Sequence, residues 1–430
     1  MTDYKGLHTL QARTTRYRHS RAKYSLKRNV IRRLALILGV CCTLQIIRLH
    51  TLSILALKAK YTATDFSSYT QVLEQYVNTA DGIDSTNRSS LLAARPDWSP
   101  LGSGWEGSTY AWNGEVVKTF KPEQSPFRNC QLPNERAQSL VRDKSSRWPA
   151  EIPATLIFGN DEGFVPVRDV FLADTPPMHE PQWHLVTPLM EGGSLHALAD
   201  NLARSGRNDS KDIRQLDIRY RSSFNRLLRS LGRLHAQGYC HDDVKPGNIF
   251  VDAPSDNQSS ASWRLGDLGN VRQVAHPYHA SSLWTHKNGQ LPDCRANDAL
   301  RAVKTYLQFL RQASAGLSET VVASSPFDRA LVAAEEPWAR LFRRARGVGN
   351  QLSVGEVLRW SEGEEGPATS AYSLAMLSQR PRVSLTRSFF LGWQETSDRA
   401  ATRLLKISAS EGWSRLLALT WLFGVPVGGC

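Results

Sequence analysis

Residues 95–190 and 191–362 differ in pattern, and the difference predicts an α+β fold of two lobes. The first lobe would be an antiparallel sheet with one helix, the second mainly helical, with a cleft between them. Two strand-like runs, 108–112 and 115–120, flank Asn113-Gly114, a two-residue hairpin signal. Further on, Phe224, Leu227, Leu228, Leu231 and Leu234 fall at helical spacing until Gly238 stops the helix. Between that helix and the strand-like Ile249-Phe-Val, Pro246 and Gly247 force an irregular loop crowded with polar side chains.

The flanks divide further. Residues 1–33 form a basic tail, 34–57 a hydrophobic segment, 58–94 a polar linker, and 363–430 a C-terminal extension without an assignable role. Ten Lys or Arg against the single acid Asp3 place nine of the thirteen net positive charges in the tail. The remainder is only mildly basic, so a groove tracking nucleic-acid phosphates is not expected. The apolar run 34–47 is shorter than the ~20 residues a bilayer needs, and joining it to 51–57 encloses Arg48. Three readings stay open for 34–57: a signal anchor giving membrane association, an organelle presequence, or a buried leader. As an anchor it would leave the basic tail in the cytosol and the folded part on the far side, where ATP is scarcer. The N-x-S triplets at Asn87, Asn208 and Asn257 fit such a side. The six cysteines, scattered without metal-ligand spacing, are expected to be unpaired in a reducing compartment.

Within the strand-rich half, Gly102, Gly104 and Gly107 have the G-x-G-x-x-G spacing. A dinucleotide fold shares that spacing but opens a helix after it. Here strands follow, and glycines on a strand–loop–strand let backbone amides close over phosphates. Strand alternation puts Val116, Lys118 and Phe120 on one face. Val116 would then lie above a nucleotide base and Lys118 would reach the α- and β-phosphates. A buried lysine needs a carboxylate. Glu135, on a helix that Asn134 could cap, is the chosen partner, and Glu123, between two prolines, its competitor.

The loop Tyr239-Cys-His-Asp-Asp-Val-Lys-Pro-Gly-Asn supplies the chemistry. Asp243 can accept the proton of an attacking hydroxyl, Lys245 can offset phosphoryl charge, and Asn248 offers a neutral oxygen to Mg2+. Asp267, at the end of an apolar strand, can bridge Mg2+ to phosphates, in the sparse oxygen ligation that magnesium prefers.

Taken in order, these residues resemble the eukaryotic protein-kinase family over about three-fifths of the chain, the domain 95–362 with lobes 95–190 and 191–362. The resemblance implies ATP and Mg2+ as cofactors. It makes Lys118 the strand lysine, Glu135 its helix partner, Thr187 the gatekeeper, and backbone from Pro188 through Leu189 to Met190 the adenine contact. His241 and Asp243 match the ends of H-R-D, Asn248 its asparagine, and Asp267 the D of D-F-G. Asp298 resembles the helix aspartate that braces the catalytic loop, and Lys245-Pro246 is the Ser/Thr-kinase form. The departures are Asp242 for the arginine of H-R-D, Leu268 for phenylalanine, Thr109 where an aliphatic usually covers the adenine, a polar insert at 253–262, and no A-P-E triplet. In style the chain resembles divergent fungal kinase-domain proteins. The expected function is transfer of the γ-phosphate to Ser/Thr hydroxyls of a protein substrate. The alternatives are a small-molecule phosphotransferase of the aminoglycoside or choline kinase type, which also lacks A-P-E, and a nucleotide-binding pseudokinase scaffold. The presence of Lys118, Asp243, Asn248 and Asp267 together disfavours the last.

Overall fold

The computed structural model describes residues 6–69, 85–104, 107–121, 149–174, 181–205, 212–252, 262–315, 326–333, 336–363, 402–407 and 409–424. It divides into two units, residues 1–55 with 412–424, and residues 56–411 with 425–430.

The smaller unit is dominated by helix α1 (Gly6–Lys60), whose last five residues belong to the larger one. The shorter helices α10 (Gly412–Leu417) and α11 (Thr420–Phe423) complete it.

The larger unit takes in the described residues of the stretch read as a linker, and for them that reading is corrected. Tyr61 and Phe66 are fully buried, and Phe66 stacks on Tyr239 at 5.4 Å. The backbone of the same stretch is tied down, because Tyr239 Oη and Gln273 Nε2 both donate to Asp65 O. The polar average of 58–94 conceals these aromatic anchors. Helix α2 (Ser85–Ala93) follows, with Arg88 held by both oxygens of Asp169 at 2.7 Å.

Five strands form one antiparallel sheet, in the order β1 (Ser99–Ser103), β2 (Gly107–Trp112), β3 (Glu115–Phe120), β5 (Pro181–Pro188), β4 (Asp169–Asp174). The β2–β3 hairpin turns on Asn113 and Gly114, both at positive φ (47° and 76°), as a two-residue primed turn requires. Alternation sends Val117, Val186 and Phe171 to a small core with Leu91 and Trp98. The opposite face carries Val116 and Lys118 toward helix α3 (Glu151–Phe158). That helix buries Ile152, Ala154, Leu156 and Phe158 in the main core. Pro153 is tolerated because it lies in the first turn, where no intrahelical N–H is lost.

The helical part packs α4 (Leu195–Arg204), α5 (Ile213–Ala236), α6 (Cys294–Ser314), α7 (Pro326–Ala333), α8 (Pro337–Val348) and α9 (Val354–Ser361) around that core. Gly238, at φ 84°, ends α5. Two short strand pairs follow: β6 (Tyr239–Cys240) with β9 (Arg272–Gln273), and β7 (Ile249–Val251) with β8 (Trp263–Leu265) between them. They hold the polar loops 241–248 and 266–271 side by side, and Gly266 N donates to Asn248 O at 2.9 Å. The observed class is α+β, mixed helices with a five-stranded antiparallel sheet.

The cysteine expectation is also corrected. Cys240 and Cys294 form a disulfide, both fully buried, between β6 and the first residue of α6. The polar insert 253–261 lies outside the described residues.

Candidate active site

Lys118 sits in the middle of β3, opposite Thr109 on one side and Leu185 on the other. Its Nζ ion-pairs with Glu151 and lies 3.7 Å from Asp267 Oδ1. The expected partner, Glu135, lies outside the described residues. Among the described residues the carboxylate paired most closely with Lys118 is Glu151. Glu151 is nearly buried at the first turn of α3, where a negative charge is also favoured by the helix dipole. Its signal in the sequence is an acid directly preceding an apolar run, with Pro149 before it and Pro153 inside it.

Asp267 adopts a left-handed backbone at φ 54°, as does Asp242 at φ 64°. Aspartate enters that region more readily than most residues, at a cost of about 1–3 kcal/mol each. Two such positions in adjoining loops mark a backbone held in place by its surroundings.

Much of that holding comes from Asp298, fully buried in α6. Its Oδ2 accepts from His241 N at 2.6 Å and its Oδ1 from Asp242 N at 3.0 Å. His241 locks the other side. Its Nε2 lies 3.2 Å from Gly266 O, an acceptor only, so Nε2 carries the proton and Nδ1 accepts from Asp243 N at 3.3 Å. The two loops are thereby joined through one neutral imidazole.

Asp243, Lys245 and Asn248 converge. Lys245 Nζ donates to Asp243 Oδ2 at 2.8 Å, and Asn248 Nδ2 donates to Asp243 O at 3.0 Å and to Asp243 Oδ2 at 3.1 Å. Both acceptors on that side fix the amide's orientation, so its oxygen is the end turned from Asp243 and available to a cation. Arg301, buried in α6, donates to Asp242 O and lies 3.6 Å from Asp243 Oδ1. Sequence reasoning missed this arginine, which has no motif of its own. Its other nitrogen donates to Ile407 O at 2.8 Å, so part of the C-terminal extension packs directly behind the loop.

Asp242 points away from the cleft. Its Oδ2 accepts from Arg272 Nη1 at 3.0 Å and from His279 Nε2 at 2.9 Å. His279 Nδ1 lies 3.1 Å from Val274 O, so both ring nitrogens face acceptors and the ring is an imidazolium. Burial pushes the His279 pKa down, but the charge and hydrogen bond of Asp242 outweigh it and the net shift is upward. Burial likewise opposes ionisation of Asp242, and His279 and Arg272 more than compensate, lowering its pKa.

Of the three loop glycines, only Gly107 is sterically required. A Cβ there would lie 1.9 Å from Thr119 O across the hairpin, whereas at Gly102 and Gly104 it would meet open space. Gly104 N donates to Gly107 O at 2.8 Å, folding the loop back on itself. Val116 is half-buried and pairs with Thr187. Leu189 N donates to Gly114 O at 2.8 Å, Leu189 is exposed, and Met190 is buried.

No protein-family profile matches the chain. Over 135 residues, 31% of the chain, it is 30% identical to ribosomal protein S6 kinase 2 alpha of Gallus gallus and to ribosomal protein S6 kinase alpha-2 of Mus musculus. The match covers 16% of each relative's length, so the chain spans about a sixth of the curated relatives it matches. The likeness supports a protein-kinase-like relationship and, with it, a kinase-like phosphotransferase.

Proposed function

We propose that the chain is an ATP-dependent protein kinase of the Ser/Thr type, built on the two-lobed kinase fold. The observation that carries the proposal is the convergence of Lys118, Glu151 and Asp267 from three elements, beside the linked Asp243, Lys245 and Asn248.

The donor set fits magnesium. Asn248 and Asp267 offer one neutral and one anionic oxygen, and a hard cation that keeps most of its water asks for few protein ligands. Held there, the ion would draw charge from the triphosphate. The protein's own groups account for the rest. Lys118, oriented by Glu151, binds the α- and β-phosphates; the glycine strand–loop–strand offers backbone amides above them; and Val116, Thr187, Leu189 and Met190 border the base. A substrate hydroxyl oriented by Asp243 attacks the γ-phosphorus, the bond to the ADP oxygen breaks, and the hydroxyl proton passes to Asp243. Lys245 neutralises charge on the phosphoryl group in flight. Such transfer depends on positioning and charge stabilisation more than on covalent chemistry by the protein.

The full chain, purified in detergent, is expected to transfer label from γ-labelled ATP to a generic basic protein in the presence of Mg2+. Lys118→Met and Asp267→Asn should each abolish transfer with the melting temperature little changed. Asp243→Asn should lower kcat by about 10²–10⁴-fold. Label appearing only in small amines or sugars would replace the acceptor class. Nucleotide-dependent stabilisation without transfer to any acceptor would refute catalysis.

A further inference from the structure

Four features that phosphotransfer does not use point to one orientation across a lipid bilayer. In the smaller unit, α1 carries an eighteen-residue apolar window of mean hydropathy 1.9, with none of it buried. Leu34, Leu36, Leu38, Leu44, Ile46 and Ile47 are each more than half exposed. An apolar surface of that extent marks a partner, and a helix apolar on all sides fits hydrocarbon better than a groove. The eighteen residues 30–47 rise about 27 Å, close to the ~30 Å thickness of a bilayer core.

The second feature defines where the span ends. His50 Nδ1 lies 2.6 Å from Leu417 O, fastening α10 and α11 to α1 just beyond residue 47. There Trp413, Trp421 and Phe423 are 74%, 71% and 77% exposed. Indole and phenyl rings gathered at one end of an apolar helix are the composition of a membrane–water interface. Arg48 falls at the same level, and Arg32 and Arg33 stand in the first turn at the other end, so these long side chains can reach headgroups and need not enter the core. This removes the objection that the apolar run encloses a charge.

Third, eight Lys or Arg precede residue 30 and Arg32 and Arg33 stand in the first turn of the span, whereas only Arg48, Lys58 and Lys60 follow it closely. That asymmetry keeps the N-terminal side in the cytosol. Fourth, and independently, the larger unit contains the buried Cys240–Cys294 disulfide, a bond that persists in oxidising compartments and is rare in the cytosol.

We propose that residues 30–47 cross a lipid bilayer with the basic tail in the cytosol, that the larger unit stands on the opposite, oxidising face, and that Asn87 there accepts an N-linked glycan. Asn87 is exposed on α2 in the triplet Asn87-Arg88-Ser89. If the phosphotransferase reading also holds, on which this sentence alone rests, the acceptor hydroxyls belong to chains on that same face, and nucleotide must be carried across the membrane to them.

The test uses the full chain with a C-terminal epitope, expressed in a eukaryotic cell and recovered in sealed microsomes. The epitope is expected to survive added protease until detergent is present, and the chain to stay in the membrane pellet at alkaline carbonate pH. Cys240 and Cys294 are expected to resist alkylation in intact cells until reductant is added. Loss of the epitope without detergent, release by carbonate, or ready alkylation of both thiols would each overturn the orientation. Endoglycosidase is expected to increase the mobility of the wild type, by one glycan more than that of Asn87→Gln. Equal shifts would overturn Asn87 as the acceptor. None of these readouts requires phosphate transfer, so their failure is distinct from failure of the catalytic proposal.

Discussion

Asp242 occupies the position where the resembling family has arginine, and the described structure surrounds it with two cations, Arg272 and His279. The charge pattern is reversed, with the anion on the 241–248 loop and the cations on the segment after Asp267. That segment is therefore anchored without a phosphate group. Removing Arg272 would strand a buried carboxylate, so Arg272→Ala should destabilise the fold by about 3–5 kcal/mol in chemical denaturation. His279 makes part of this anchoring pH-dependent. Its folded pKa is raised above the unfolded 6.5, so its contribution is complete below about that pH and is lost as pH rises through the folded value. Asp242 is lowered from 3.8, so its contribution is complete above that value and lost as pH falls. The neighbouring His276, held down to about 3 chiefly by burial and next by Arg272, acts oppositely to His279 below 6.5, but it is common to wild type and variant. The melting-temperature difference between wild type and His279→Gln should thus be largest near about pH 5 and shrink toward about pH 9. A constant difference across that range would remove the ion pair from the account. At this scale the departure at Asp242 was visible in the sequence, but its partners, 30 and 37 residues downstream, were not.

At the scale of elements, two stretches without motifs prove to support the site. The segment after α1 threads Tyr61, Thr64 and Phe66 into the larger unit. Thr64 Oγ1 donates to Val271 O at 3.0 Å, and His276 Nε2 lies 3.1 Å from Thr62 O, so it braces the residues following Asp267. Phe66→Ala should cost about 3–5 kcal/mol of stability, measured by urea denaturation, and should loosen β6, against whose Tyr239 the ring stacks. The C-terminal residues 402–407 bury Leu405 and Ile407 and meet α6 through Arg301, Lys304 and Gln308. Arg301 touches both this segment and the catalytic loop, so Arg301→Lys, which cannot keep both contacts at once, should lower kcat more than it raises KM for ATP. The lengths and polar averages of 58–94 and 363–430 hid these roles, because burial depends on a few side chains and not on mean hydropathy.

For the whole molecule, the disulfide joins two points 54 residues apart in sequence, immediately before His241 and at the start of the Asp298 helix. Closing a loop of that length removes roughly 4 kcal/mol of unfolded-chain entropy. Cys240→Ser with Cys294→Ser should therefore lower the melting temperature substantially. Because Asp298 still caps the same loop, phosphate transfer should survive at low temperature. Loss of transfer before any unfolding would instead make the bond part of the site's geometry.

The sequence by itself determined the α+β class, the hairpin at Asn113-Gly114, the strand lysine and the polar loop from His241 to Asn248. Those are local matters, set by period, turn chemistry and residues close in the chain. Only the tertiary structure decided that Glu151 meets Lys118, that Arg272 and His279 meet Asp242, and that Cys240 joins Cys294. Each of these pairings spans 30 residues or more. No short-range pattern encodes such a contact; it is chosen by which buried charge or thiol finds a complement once the core has closed around it.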